Sequence, residues 1–252
     1  MRTDPLAMTT FTVTPSRRGV LRAAGAGAIA AVLGGHLGLM AGAQSSFPTR
    51  IRVLHAAPEL GKVEVLFNGE EKLDEFDYGT TSDWIEVDPG VVRVTIRRDR
   101  AGINYIVFDT IAPVVANEDY YLILSDPLVI PVAVDRSPVA ADSARVRVIH
   151  ATVDLPAVDI AIKDGDVIVD DLQYGELSDA VEVPAGTYDL EVRLHGATEV
   201  ALDLPGVVVE PGVVYDFVAH GKPGSEPTPL TVAVLTDEAR AGTPASAATP
   251  SA

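Results

Sequence analysis

The chain contains no cysteine. That excludes disulfides, iron–sulfur clusters, thiolate zinc sites and blue-copper centres. Lysine is scarce: Lys62, Lys72, Lys163 and Lys222 are the full set, and they are scattered. Basic residues number 19 against 36 acidic ones, a formal net charge of −17. Such a surface repels phosphate backbones and anionic headgroups, so nucleic acid is not an expected partner. Beyond residue 43 no apolar run reaches the roughly 20 residues of a membrane-spanning helix. No G-x-S-x-G elbow occurs, and no dinucleotide or P-loop glycine pattern follows a strand.

What the N-terminus does have is an export pattern. Arg17 and Arg18 form a twin-arginine pair, followed by a mild apolar stretch from Ala23 to Leu39. Ala41-Gly42-Ala43 then offers a small-x-small site, cut between Ala43 and Gln44. Glycines at 25, 27, 34, 35 and 38 make the stretch weakly hydrophobic, which disfavours a retained anchor. The sequence thus predicts a signal peptide over 1–43 and a short leader over 44–48. Contact with the membrane is then transient, and the location extracytoplasmic: secreted, periplasmic or cell-surface. Cleavage removes four Arg and one Asp, moving the balance from −17 to −20.

The remainder states one pattern twice. Ile51-Arg52-Val53-Leu54-His55-Ala56 returns as Val146-Arg147-Val148-Ile149-His150-Ala151. Tyr78-Gly79 returns as Tyr174-Gly175, and Pro89-Gly90 has a counterpart in Pro184-Ala185-Gly186. A period this long indicates a duplicated domain, able to close its own core, rather than a solenoid unit.

Within each copy the side chains alternate with a strand's period of two. Val92, Val94 and Ile96 alternate with Arg93, Thr95 and Arg97; Tyr188, Leu190, Val192 and Leu194 alternate with Asp189, Glu191 and Arg193. Asn68-Gly69 and Asp164-Gly165 are hairpin turns. Pro131 marks an edge strand or bulge. Seven or eight short strands per copy predict an all-β protein: two tandem antiparallel β-sandwiches, Ig-like or transthyretin-like, each solvated outside and packed inside. The predicted bounds are 49–136 and 144–238, with a linker at 137–143. The tail, 239–252, has no large apolar residue and is predicted to be disordered.

The run Arg145 to Ala151, then Leu155-Pro156-Ala157-Val158-Asp159-Ile160, Tyr174-Gly175 and Val183 to Tyr188 resembles the DUF4397 domain in order and spacing. The first copy, from Ile51, is similar but looser. The resemblance implies an extracytoplasmic, often tandem, β-rich domain with no established activity, and it supplies no catalytic residues.

The residues themselves offer few sites. His55 and His150 each end an apolar strand, where a histidine can bind metal or cap a loop. Asp154 is the third metal candidate, although a metal needs three or four convergent ligands. The set Asp154, Asp159, Asp164, Asp166, Asp170 and Asp171 lacks EF-hand spacing. Ser82 and Ser178 recur beside Asp83 and Asp179 but suit turn hydrogen bonding better than catalysis. Trp84, Tyr78, Tyr105, Tyr120 and Tyr121 would make a glycan platform only if exposed together. We therefore expect no catalytic residue, cofactor or bound metal. The expected function is adhesion, envelope scaffolding or interaction, with a cell-envelope component or a surface protein or glycan as partner. A glycan or small-molecule module is the alternative, and a hydrolase the more distant one.

Overall fold

The computed structural model describes residues 48–100 and 103–240. The expected signal, its expected cleavage site and nearly all of the expected leader and tail lie outside these residues. Among the described residues every regular element is a strand, apart from one 3-10 turn at Pro58–Leu60. The first copy holds β1 (Thr49–His55), β2 (Val63–Phe67), β3 (Glu70–Phe76), β4 (Ile85–Val87), β5 (Gly90–Arg100), β6 (Ile103–Val114), β7 (Asp119–Ser125) and β8 (Leu128–Ala133). The second holds β9 (Ser143–His150), β10 (Val158–Ile162), β11 (Val167–Leu172), β12 (Val181–Pro184), β13 (Gly186–Leu194), β14 (Val200–Val209), β15 (Val213–His220) and β16 (Thr231–Glu238).

Each copy folds into two four-stranded sheets. The orders are β4-β1-β7-β8 and β3-β2-β5-β6 in the first, β12-β9-β15-β16 and β11-β10-β13-β14 in the second. Adding eight to each strand number converts one copy into the other. Turn chemistry explains the hairpins: Asn68 and Gly69 take φ values of 53° and 84°, as a tight two-residue turn requires. The Asn68 side chain accepts a hydrogen bond from the Arg93 amide at 2.8 Å, tying the turn to β5.

Two expectations need correction. The sheets are not purely antiparallel, because β1 pairs parallel with β7, and β9 parallel with β15. A parallel pair needs a long crossover, and here the chain makes it by building the other sheet in between. Nor is each copy solvated on both outer faces. One interior lies between the sheets of the first copy, around Val53, Val65, Val94, Ile96 and Leu124. The second copy's interior gathers around Val158, Ile160 and Val192 at one end and Val209 and Tyr215 at the other. A further core draws on both copies at once: Leu54, Tyr121, Ile123 and Val132 with Ile149, Val218 and Leu235. The sheets carrying β1 and β9 therefore bury both faces, and the molecule is four sheets deep. Both copies belong to one compact unit.

The alternation of β1 and β9 hid this seam. Arg50, Arg52, Arg145 and Arg147 share a face with Leu54 and Ile149, and that face looks polar when read as a pattern. The arginines occupy one end of the seam instead of open solvent. Arg52 lies over the Trp84 ring at 4.5 Å, Arg50 at 4.9 Å, and Trp84 stacks on Tyr121 at 5.4 Å. Guanidinium groups satisfy an aromatic face while keeping their rims wet.

Candidate functional site

The repeated motifs meet each other at the opposite end of the seam. The His55 carbonyl accepts from the Gly79 amide at 2.8 Å, and the His150 carbonyl from the Gly175 amide at 2.8 Å. The His55 amide donates to Thr80 at 3.0 Å, and the His150 amide to Glu176 at 3.1 Å. Each glycine holds a positive φ, 77° at Gly79 and 83° at Gly175, a region other residues rarely enter. The tyrosine beside it meets the histidine ring edge-on, at 6.1 Å in the first copy and 6.3 Å in the second.

Both histidine rings are fully buried, and both nitrogens of each are engaged. In His55, Nδ1 accepts from the Ala57 amide at 3.3 Å and Nε2 donates to the Gly61 carbonyl at 2.7 Å. In His150, Nδ1 accepts from the Thr152 amide at 3.2 Å and Nε2 donates to the Pro156 carbonyl at 3.1 Å. The bonds select the neutral Nε2–H tautomer. Burial holds both pKa values below the ordinary histidine value. With no lone pair to spare, each ring clamps a loop.

The tyrosines reach across the seam. The Tyr78 hydroxyl meets Nδ1 of His220 in the second copy at 2.9 Å. The Tyr174 hydroxyl meets Ser125 in the first copy at 3.0 Å and the Asp126 carbonyl at 3.1 Å. Ser125 ends β7 and His220 ends β15, so the two links are pseudo-symmetric. The loops around them line a small, partly open cavity of about 40 Å³, bordered by Ala56, Ala151, Ser125, Gly221 and their neighbours. At roughly 10–15 Å³ of such space per water, the cavity has room for a few waters. Asp154 stands at its rim, 2.9 Å from Lys222, which also approaches Glu59 at 3.6 Å. Asp154 thus partners a lysine, and neither histidine joins it.

The paired serines are staples. Ser82 accepts from the Val53 amide at 2.9 Å and donates to the Asp83 carbonyl at 2.7 Å; Ser178 does the same with Val148 and Asp179, at 3.0 and 2.9 Å. The five aromatics do not form a platform. Tyr121 is buried in the seam under Trp84, the Tyr120 hydroxyl accepts from the Val115 amide, and Tyr105 is exposed on β6, in the other sheet of the copy.

One cluster was not anticipated as a unit. Asp159, buried on β10, accepts from the amides of Asp171 and Gly196 at 2.9 and 3.3 Å. His195 Nδ1 lies 2.9 Å from Asp159 and 3.5 Å from Asp170. The Asp159 hydrogen bond is the largest of the effects that raise the His195 pKa. Asp159, Asp170 and His195 are close enough to share a cation. Their present bonds, however, pin the bulge at Asp171 and the turn at Gly196. The signal in the sequence is the acidic run alone, because His195 stands before Gly196 as a turn residue would.

The charged end of the seam is equally structural. Arg136, between β8 and β9, bridges Asp119 of the first copy and Asp237 of the second, each at 2.5 Å. Arg147 donates to Asp216 at 2.6 Å, yet burial raises the Asp216 pKa against that pull. A family model described as "Domain of unknown function (DUF4397)" matches residues 49–161 and 161–248. No curated protein matches the chain.

Proposed function

Since the chain belongs to the DUF4397 family, carrying the domain twice in tandem, we propose that it is an exported, non-enzymatic interaction protein. It acts outside the cytoplasm, as an adhesive or scaffolding block in or near the cell envelope. The twin-arginine pattern at Arg17 and Arg18 supports export, and the strongly acidic composition supports a solvated working surface.

The observation that carries this reading is the fate of the duplicated residues. His55, His150, Tyr78, Tyr174, Ser82 and Ser178 are all committed to clamping loops and joining copies. What is left for a partner is outer surface, edges and loops. The cavity in the seam has room for only a few waters, which weighs against the binding-module alternative there.

The test is thermal melting of the purified protein against a panel of glycans and divalent cations. A ligand at 100 times its Kd adds about 2.7 kcal/mol of stability. The proposal expects no shift with any of them. A shift produced by a glycan would replace it with the binding-module reading.

A further inference from the structure

Arg52 and Arg147 hold the same place in the two copies, each three residues before the strand-end histidine. Each stands opposite one residue of the parallel strand beside it: Arg147 opposite Asp216, Arg52 opposite Tyr121. Arg147 meets that carboxylate at 2.6 Å. Arg52 has none there, and the nearby ones are taken. Asp119 binds Arg50 and Arg136, and Asp237 binds Arg136. Among the described residues Arg52 makes no ion pair, and its Nε is buried without a hydrogen bond.

Aromatic rings stand where the carboxylate is missing. Trp84 lies two residues after Ser82, where the second copy has Ala180 after Ser178. The Arg52 guanidinium is over the indole at 4.5 Å, with those of Arg50 and Arg136 at 4.9 and 6.0 Å. Tyr121 stacks on the same indole at 5.4 Å. Stacking fixes the plane of a guanidinium and leaves its outer edge able to grip a carboxylate with two parallel bonds. Arg52 and Trp84 are both half-buried, so the pair is reached from solvent. Arg50 is already committed, because Asp119 holds it and Glu86 stands across the ladder from it. Arg52 is thus the cation left over, in a chain of net charge −17. A partly desolvated arginine held by tryptophan and tyrosine is the composition of an interface hot spot.

We propose that Arg52, stacked on Trp84, anchors an aspartate or glutamate side chain of a partner protein. The partner's carboxylate takes the place that Asp216 holds in the second copy. Because the ring already holds the guanidinium, little side-chain freedom is lost on docking. This rests on the interaction reading and names the partner's chemistry. Failure here would remove only the anchor, since the panel of glycans and cations tests that reading separately.

Trp84 is the only tryptophan, so its fluorescence reports on this site. The purified protein is titrated at constant ionic strength with a blocked glycine peptide carrying one glutamate, with its glutamine counterpart, and with sodium acetate. The glutamate peptide should give a saturable change, the glutamine peptide none, and acetate a weaker response. Arg52→Gln should weaken binding of the glutamate peptide roughly tenfold or more, the effect of losing a charge-assisted hydrogen bond. Arg93→Gln, which removes an exposed arginine of the other sheet, should bind as wild type does. Melting temperatures near that of wild type confirm that both variants fold. A wild type that does not respond to the glutamate peptide would overturn the proposal, as would equal binding by Arg52→Gln. Acetate binding as tightly as the peptide would also overturn it, because the site would then take a free carboxylate and not a protein side chain.

Discussion

The Tyr78 hydroxyl and Nδ1 of His220 are 142 positions apart in the chain and 2.9 Å apart in the molecule. The link crosses between the copies, and Tyr174 makes its mirror image to Ser125. The recurring Tyr-Gly pair is therefore a fastener. Its glycine turns the chain onto the strand-end histidine, and its tyrosine reaches into the other copy. Tyr78→Phe should cost about 1 kcal/mol, the usual net worth of such a bond. Urea denaturation of Tyr78→Phe and Tyr174→Phe measures this, and equal midpoints for wild type and both variants would contradict it.

Acid should loosen the same region. Burial, with the nearby His55, lowers the His220 pKa to about 4, against about 6.5 in an unfolded chain. The unfolded state then binds the proton more tightly. The His220 contribution is complete above pH 6.5 and is lost as pH falls through 4. At about 1.4 kcal/mol per unit the loss is about 3 kcal/mol. His55 and His150 are shifted the same way by burial and add to it. Denaturation midpoints measured from pH 7.5 to 4 should fall, and His220→Asn should flatten part of the slope. A slope unchanged by that substitution would refute the assignment.

Gly221 lies beside the Tyr78 hydroxyl with φ at 93°. A Cβ there would sit 2.1 Å from the Pro229 carbonyl oxygen, so backbone must move. Gly221→Ala should therefore cost well over the roughly 1 kcal/mol typical of a point mutation. Gly79→Ala, with open space around it, should pay only for its dihedral. Comparing the two melting temperatures separates crowding from backbone strain.

Asp159 collects two amides and an imidazole. Asp159→Ala leaves both N–H groups without that acceptor and should destabilise by about 1–3 kcal/mol. Chemical denaturation checks the size. An unperturbed variant would mean that water replaces the carboxylate freely.

On export, changing Arg17 and Arg18 together to Lys should keep the precursor inside the cell. Fractionation of cells expressing the variant reads this directly, and normal secretion would refute the twin-arginine assignment.

The strands with one apolar face were legible because packing enforces their alternation: Val63, Val65 and Phe67, or Val92, Val94 and Ile96. So were the turns at Asn68 and Asp164, where φ is positive. β3 was not legible, since an exposed edge strand has no buried face to leave a pattern. The seam escaped for a different reason. Arg52 and Arg147 signal solvent when read by polarity, but a guanidinium over Trp84 or against Asp216 is buried chemistry. Of the candidate sites, the positions of His55 and His150 were readable, but their partners were not. Those partners are backbone groups at Ala57, Gly61, Thr152 and Pro156, which any sequence would offer.

Two sandwiches joined by a shared oily layer should unfold as one. Leu54 and Ile149 lie in that layer, one from each copy, and both are at most 1 % exposed. Scanning calorimetry of the purified protein is the most direct check. A single transition is expected, with calorimetric and van't Hoff enthalpies in agreement. Leu54→Ala and Ile149→Ala should each shift that whole transition down, by about 2–5 kcal/mol of stability. Two separable transitions, with each substitution moving only the one belonging to its own copy, would contradict the account.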